Sequence, residues 1–140
     1  MVSFDGFRHD YLDLLPREAL PNLNRLRDSG VQVQGGLKNV FITKTFPNHW
    51  TLATGLYEES HGVVGNSFWD PNICDIGHTG PPHLGGSHVV GGCPFIMDTT
   101  DPRWWGGEPI WHTMENAGRK TGTFFWPGES VLAAPGGSVD

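Results

Sequence analysis

Asn39-Val-Phe-Ile-Thr-Lys-Thr-Phe-Pro-Asn-His-Trp-Thr-Leu-Ala-Thr-Gly55 sets an apolar extended segment, Asn39–Ile42, directly before a helix that Pro47 opens and that turns Trp50, Ala53 and Leu56 inward. Proline suits a first helical turn, where the N–H it lacks would have no intrahelical partner. Upstream, the same device recurs: Pro21 lies in the first turn of a helix with Leu20, Leu23 and Leu26 on one face, and Gly30 sits where a left-handed cap belongs. Val31–Gln34 then alternates as a strand does, and Val2-Ser-Phe-Asp-Gly6 reads as a buried strand running into a polar turn. Asp10–Leu15 is a short amphipathic turn with an acidic cap. Downstream, Gly62 ends the connection and Val63-Val64 enters a short strand. Pro109 opens a third main helix with Ile110, Thr113 and Met114 on its face, and Gly118 stops it. Arg119-Lys120 stands at its negative end, and Thr121–Trp126 reads as a central strand. The order β-α-β-α-β-α-β predicts an α/β fold in which helices cover the faces of a sheet.

Composition narrows the function classes. The 140 residues include 20 Gly and 11 Pro, about 22% together, which stays below the range of low-complexity chains, and 6 Trp with 8 Phe can furnish a core. A net charge of −6 argues against a binder of nucleic-acid duplexes, which needs a basic stripe to displace counterions from phosphates. No run of 18 apolar residues spans a membrane, and Met1 is followed directly by Val-Ser-Phe-Asp with no signal-peptide pattern. A strand this close to Met1, and a patternless tail after Pro127-Gly128, make both ends read as cut. Residues 70–108 stand apart, with 8 Gly, 5 Pro and both cysteines in 39 residues, and read as a long irregular excursion. A bridge between Cys74 and Cys93 would imply an oxidising compartment, and two free thiols fit the sequence as well. His78, His83 and His88 match no usual Cys/His zinc spacing.

Three polar residues stand at the ends of core elements. Asp5 lies at the carboxyl end of the first strand, where α/β sheets bind ligands; it is either a hard ligand for a divalent metal or a turn residue accepting backbone N–H groups. Thr45 stands at or next to the cap of the Pro47 helix, where backbone N–H groups and the positive dipole end favour phosphate. A metal would lower its hydroxyl pKa enough for nucleophilic attack; otherwise it is an ordinary helix cap. Asn66 could donate to an oxyanion from the end of its strand, or simply turn the chain. Glu58, Glu59 and His61 lack the His-Glu-x-x-His order of a metalloprotease.

Taken together and in order, Val2–Arg8, Phe41–Gly62, Gly65-Asn-Ser67, Trp69-Asp-Pro71, Gly107–Trp111 and Gly122–Gly128 resemble the ectonucleotide pyrophosphatase/phosphodiesterase family, and its shorter members most of all. The resemblance covers nearly the whole chain except residues 72–103 and the last ten. It implies the N-terminal part of an alkaline-phosphatase-like layered fold, with a mostly parallel sheet flanked by helices. It also implies two zinc ions and hydrolysis of phosphodiester or pyrophosphate bonds of nucleotides through a threonyl-phosphoester intermediate. By motif, Asp5 is similar to a zinc ligand and Thr45 to both ligand and nucleophile. Asn66 is similar to the donor that steadies a non-bridging phosphate oxygen. Phe46, Trp126 and Pro127 are similar to positions lining the nucleoside or leaving-group pocket, where Phe46 and Trp126 offer flat faces to a base.

Two departures stand out. The family usually continues Trp-Pro-Gly-(Ser/Thr)-Asp, whereas here Glu129-Ser130 puts the acid one residue earlier. The insertion 72–103 is also longer and richer in Gly than the family suggests. The remaining zinc ligands of the family lie downstream of Trp-Pro-Gly, and residues 131–140 contain only Asp140 and no His. Residues 1–140 are thus expected to be part of a catalytic domain, with little activity alone. A small nucleotide or phosphodiester is the expected partner, a secreted or cell-surface location is implied by the family alone, and the oligomeric state is left open. Two other readings are a lysophospholipid or choline phosphodiesterase, since the metal half of a site does not choose the leaving group, and a non-catalytic binding module.

Overall fold

The computed structural model describes residues 1–68, 89–90, 93–94 and 102–129, and the chain divides into two compact units, Met1–Asn39 and Val40–Asp140. In the first, a turn at Asp5-Gly6 closes with the Phe7 N–H donating to the Phe4 carbonyl at 3.3 Å, and Gly6 supplies the left-handed φ of 66° that it needs. Single 3-10 turns follow at Tyr11–Asp13 and Arg17–Ala19, then helix α1, Pro21–Ser29. Proline sits in the first turn of α1 as its chemistry predicts. Gly30 does not form the expected left-handed cap: its φ is −108° and its backbone extended, while its N–H still bonds the Leu26 carbonyl at 2.9 Å. The leucines set the inward face only in part: Leu20 and Leu23 are half-buried. Leu26 is 68% exposed, and the buried residue of α1 is Asn24, whose amide donates to the carbonyls of Arg17 and Leu20, both at 3.0 Å. An amide can be buried here because it ties α1 to the turn before it. Asp10 caps no N–H with its side chain; it pairs with Arg8 instead, and that neighbouring guanidinium holds its carboxyl below the ordinary range.

The second unit is built on helix α2, Thr45–Thr54. Gly55 closes it in the left-handed conformation, with its N–H on the Thr51 carbonyl at 2.8 Å. A single helical turn, α3, Glu58–His61, ends the same way at Gly62. Helix α4, Ile110–Asn116, follows a 3-10 turn at Pro102–Trp104. The core consists of Trp50, Ala53, Val63 and Trp105, with Phe46, Phe68, Trp104, Trp111 and Trp126 packed against it. Trp104 and Trp105 belong to the stretch 70–108 that composition marks as irregular, and they supply a wall of the core. On α4 the inward residue is Trp111, its ring 5.8 Å from that of Trp50, while the expected Ile110 and Met114 are largely exposed. Indole rings offer more apolar area to bury than either aliphatic side chain, and this core already consists of them.

The expected mostly parallel sheet does not form among the described residues. The one ladder there is antiparallel, strand β1 (Val89–Val90) against β2 (Cys93–Pro94). Val2–Phe4, Val31–Gln34, Asn39–Ile42, Val63–Val64 and Thr121–Trp126 pair with no other described segment as strands. The physical reason is that a helix satisfies its own backbone, whereas a strand exists only with a neighbour to bond. Trp69-Asp70-Pro71, Cys74, His78, His83 and His88, with most of the insertion 72–103, lie outside the described residues.

Candidate active site

Thr45 is the first residue of α2, preceded by an extended Lys44 whose side chain caps nothing. At that helix start, one N–H that has no intrahelical partner, that of Phe46, donates to Oδ1 of Asn66 at 2.9 Å. The structure therefore brings together Thr45 and Asn66, 21 positions apart in sequence. Because the partner is a donor, the oxygen of the Asn66 amide must be the atom facing Phe46, and the amide nitrogen is left on the other side. The half-buried Phe46 ring rests 6.0 Å from Trp105.

Asn48 holds the approach to Thr45. Its Oδ1 accepts the Val40 N–H at 2.9 Å, while its Nδ2 donates to the carbonyls of Ile42 at 3.0 Å and Lys44 at 2.9 Å. One side chain thus satisfies three backbone groups of the segment that leads into the helix. His49, one turn beyond Thr45, bonds the Thr45 carbonyl through Nδ1 at 2.7 Å, and its own carbonyl accepts the Trp126 indole N–H at 3.2 Å. The rings of His49 and Trp126 meet edge to face at 5.1 Å. Trp126 and the half-buried Pro127 therefore stand against the helix that begins with Thr45, and Trp50 donates its indole N–H to the Gly106 carbonyl at 2.8 Å beneath them.

Asp5 belongs to the first unit, exposed on its turn, whereas the other sequence-identified positions all lie in the second. Among the described residues no three His, Cys, Asp or Glu side chains gather in a group that could hold a metal. Asp5 and Thr45 offer hard oxygen donors of the kind zinc accepts, but by themselves they fall short of its usual four ligands. Glu58 and His61, which lack the metalloprotease order, are both buried. His61 is 1% exposed, accepts the Val63 N–H at Nδ1 (3.0 Å) and so donates from Nε2 to the Thr51 hydroxyl at 3.0 Å. Burial pushes its pKa below 6.5, against a smaller opposite pull from Glu58. A shallow depression lined by Arg17, Asn24, Arg25 and Asp28 lies in the first unit and contains none of these residues.

The residues that sequence reasoning missed are Asn48, His49 and Glu129. The Glu129 carboxylate accepts the N–H groups of Phe125 at 2.9 Å and Trp126 at 3.3 Å. No periodicity announces such contacts. The one available signal was the acid displaced by a residue after Trp-Pro-Gly.

Residues 1–136 match the type I phosphodiesterase/nucleotide pyrophosphatase family. The bis(5'-adenosyl)-triphosphatase enpp4 of Xenopus laevis is 41% identical over 132 residues, which is 94% of this chain and 24% of that protein. Venom phosphodiesterase 2 of Crotalus adamanteus is 38% identical over 134 residues, 94% of this chain and 14% of that protein. Murine ectonucleotide pyrophosphatase/phosphodiesterase 5 superposes with a TM-score of 0.70 at 39% identity, over 92% of this chain and 30% of the other. That match supports the alkaline-phosphatase-like fold as a whole. The chain spans about a quarter or less of the length of these two curated relatives. On the family match and these likenesses, the chain belongs to the type I phosphodiesterase/nucleotide pyrophosphatase family.

Proposed function

We propose that the protein carrying this sequence hydrolyses phosphodiester or pyrophosphate bonds of nucleotides, with Thr45 as nucleophile. The observation that carries the reading is the convergence of Thr45, the Phe46 N–H and the Asn66 amide at the start of α2. Relatives named as a bis(5'-adenosyl)-triphosphatase and as venom phosphodiesterases support the bond class. A second structure of the murine protein, an inactive threonine-to-alanine variant in complex with AMP, supports both the nucleophile type and the nucleotide.

Zinc, with Asp5 and Thr45 among its ligands, would lower the pKa of the threonine hydroxyl and neutralise charge on the phosphoryl group. The chain's own residues do the rest. Thr45 Oγ gives its proton to solvent water and attacks phosphorus in line; the bond to the leaving oxygen breaks, and that oxygen departs with the electron pair and takes up a proton from solvent. Asn66, its Oδ1 held by Phe46, turns Nδ2 to a non-bridging oxygen. Water then cleaves the threonyl phosphoester and restores the hydroxyl. Phe46, Trp126 and Pro127 form an apolar flank for the base. The names of the relatives, a venom enzyme and an ectoenzyme, favour a secreted or cell-surface location.

The test is turnover of a nitrophenyl ester of thymidine monophosphate. Thr45→Ala is expected to lose about 10³-fold or more in kcat, the scale seen when a nucleophile is removed. A variant that keeps a tenth of the activity overturns the assignment. Chelation should abolish turnover and zinc restore it. Faster hydrolysis of a lysolipid than of a dinucleotide would move the reading to a lipid phosphodiesterase.

A further inference from the structure

All the hydrogen-bonding atoms of Trp126 are engaged. Its backbone N–H donates to Glu129 Oε2 at 3.3 Å, its carbonyl accepts the Glu129 N–H at 2.9 Å, and its indole N–H reaches the His49 carbonyl at 3.2 Å. The other oxygen of Glu129 accepts the Phe125 N–H at 2.9 Å. Phe125 has a φ of 55°, a left-handed conformation that a bulky side chain adopts only when its surroundings compel it. Gly128, at φ 84°, lets the turn close onto the core: a Cβ there would stand 2.7 Å from the Trp105 ring and 2.8 Å from that of Trp50. One carboxylate therefore bridges two successive N–H groups across a strained residue. Hydrogen bonds to an ionised acceptor are about twice as strong as neutral ones. The ring so fixed leans on His49 of α2, whose Nδ1 in turn bonds the Thr45 carbonyl.

We propose that Glu129 is a positioning residue for substrate selection: by clamping the Phe125 and Trp126 N–H groups, it sets the tilt of the Trp126 indole relative to α2 and so favours substrates that carry a nucleobase. The inference rests on the nucleotide-hydrolase reading above. Neutral loss of the clamp lets Phe125 leave the left-handed region and rotates the peptide before Trp126, so the indole no longer presents a fixed face. A base stacked on an aromatic ring is worth about 1–3 kcal/mol, and a substrate without a base gains nothing from that face.

The experiment compares Glu129→Ala and Glu129→Gln with the unaltered protein on two substrates, an adenosine dinucleotide and a base-free ester without any flat ring, the abasic bis(ribos-5-yl) diphosphate. Glu129→Ala should raise KM for the dinucleotide about tenfold and leave kcat/KM for the base-free ester within about twofold. Glu129→Gln, which keeps one acceptor oxygen, should fall between. AMP affinity measured by calorimetry should drop in parallel, and amide hydrogen exchange at Phe125 and Trp126 should quicken in Glu129→Ala. Equal losses on both substrates, or an unchanged KM for the dinucleotide, overturn the proposal while leaving the hydrolase reading intact. AMP binding that depends on Glu129 in a protein that hydrolyses neither substrate has the opposite meaning: the clamp stands and the hydrolase reading falls.

Discussion

In Met1–Asn39 the buried side chain is an amide, Asn24, whereas in Val40–Asp140 the buried hydrophobic core among the described residues is Trp50, Ala53, Val63 and Trp105, with Glu58 and His61 buried as well. The first unit leaves many of its apolar groups in water: Val2 is 82% exposed, Phe4 63% and Val31 100%. What joins its turns are side chains at the surface, the pairs Arg8–Asp10, Arg17–Asp28 and Arg27–Asp13, and ring contacts from Phe4, tilted against Phe7, to Tyr11, which meets Phe7 edge to face. In the second unit indoles do the joining, and each polar edge that the structure pairs is tied to a carbonyl of a different segment, Trp50 to Gly106 and Trp126 to His49. The difference explains where a site can be precise. A nucleophile needs supporting side chains locked by packing and hydrogen bonds, and Thr45, proposed above for that role, stands on the unit that has them. Asp5 stands on an exposed turn of the other unit.

Removing a core indole tests that contrast most severely. Trp50 is fully buried, touches the rings of Trp105 and Trp111, and anchors the Gly106 carbonyl. Trp50→Ala is expected to cost about 3–5 kcal/mol, as large-to-small changes at buried aromatics do. Leu26→Ala, on the exposed side of α1, should stay within about 0.5 kcal/mol. Chemical denaturation followed by tryptophan fluorescence measures both. Similar costs for the two would show that the first unit owes its order to apolar packing after all.

The helices were legible in the sequence and the sheet was not, for reasons the same two units make plain. Pro47 and the spacing of Trp50 and Ala53 mark α2 because a helix closes its hydrogen bonds within a few residues, although its end at Gly55 comes before the Leu56 and Gly62 that the sequence suggests. Val31 and Val33 alternate as a strand should, but alternation specifies a face and not a partner, and no described neighbour bonds them. The inward faces of α1 and α4 were misjudged because apolarity alone ranks Leu26 above Asn24 and Ile110 above Trp111. Tertiary contacts reversed both. Of the candidate site, Thr45 and Asn66 could be read from motif and are joined through the Phe46 N–H. The supports of Asn48 and Glu129 are carboxylate and amide contacts to backbone groups, which depend on the path of the chain and leave no period in the sequence.

A smaller effect separates the units by pH. His61 is buried and neutral, bonded through Nδ1 to the Val63 N–H and through Nε2 to Thr51, and its folded pKa lies below 6.5. The unfolded chain therefore binds a proton more readily than the folded one as pH falls through 6.5. Stability contributed by His61 is present above that value and is lost below it. The groups around it are Glu58 and Glu59 on α3 and Thr51 on α2, with the two carboxylates opposing the shift. Thermal melting should drop between pH 7.5 and pH 5.5, and His61→Gln should flatten that slope. A slope unchanged by the substitution would place the titrating group elsewhere.

The weakest expected effect lies in the ion pairs of the first unit, and it bears on what orders that unit. Asp13 accepts from Arg27 at 2.7 Å, fourteen residues away, so this pair ties the first 3-10 turn to α1 rather than bracing one element. Its carboxylate is 64% exposed, and Arg17–Asp28 is more than half exposed on both sides. Pairs of that kind are worth about 0–1 kcal/mol and are screened by salt. Asp13→Asn should therefore destabilise by about 0.5 kcal/mol at low ionic strength and by less in 1 M salt, measured by denaturation in both. Trp50→Ala should cost the same at either salt, because dispersion and apolar burial carry no charge to screen. A cost at Asp13 that rivals Trp50 and survives high salt would mean that the bond to Arg27 acts as a buried contact, and that the first unit is ordered by its polar links as firmly as the second is by its indoles.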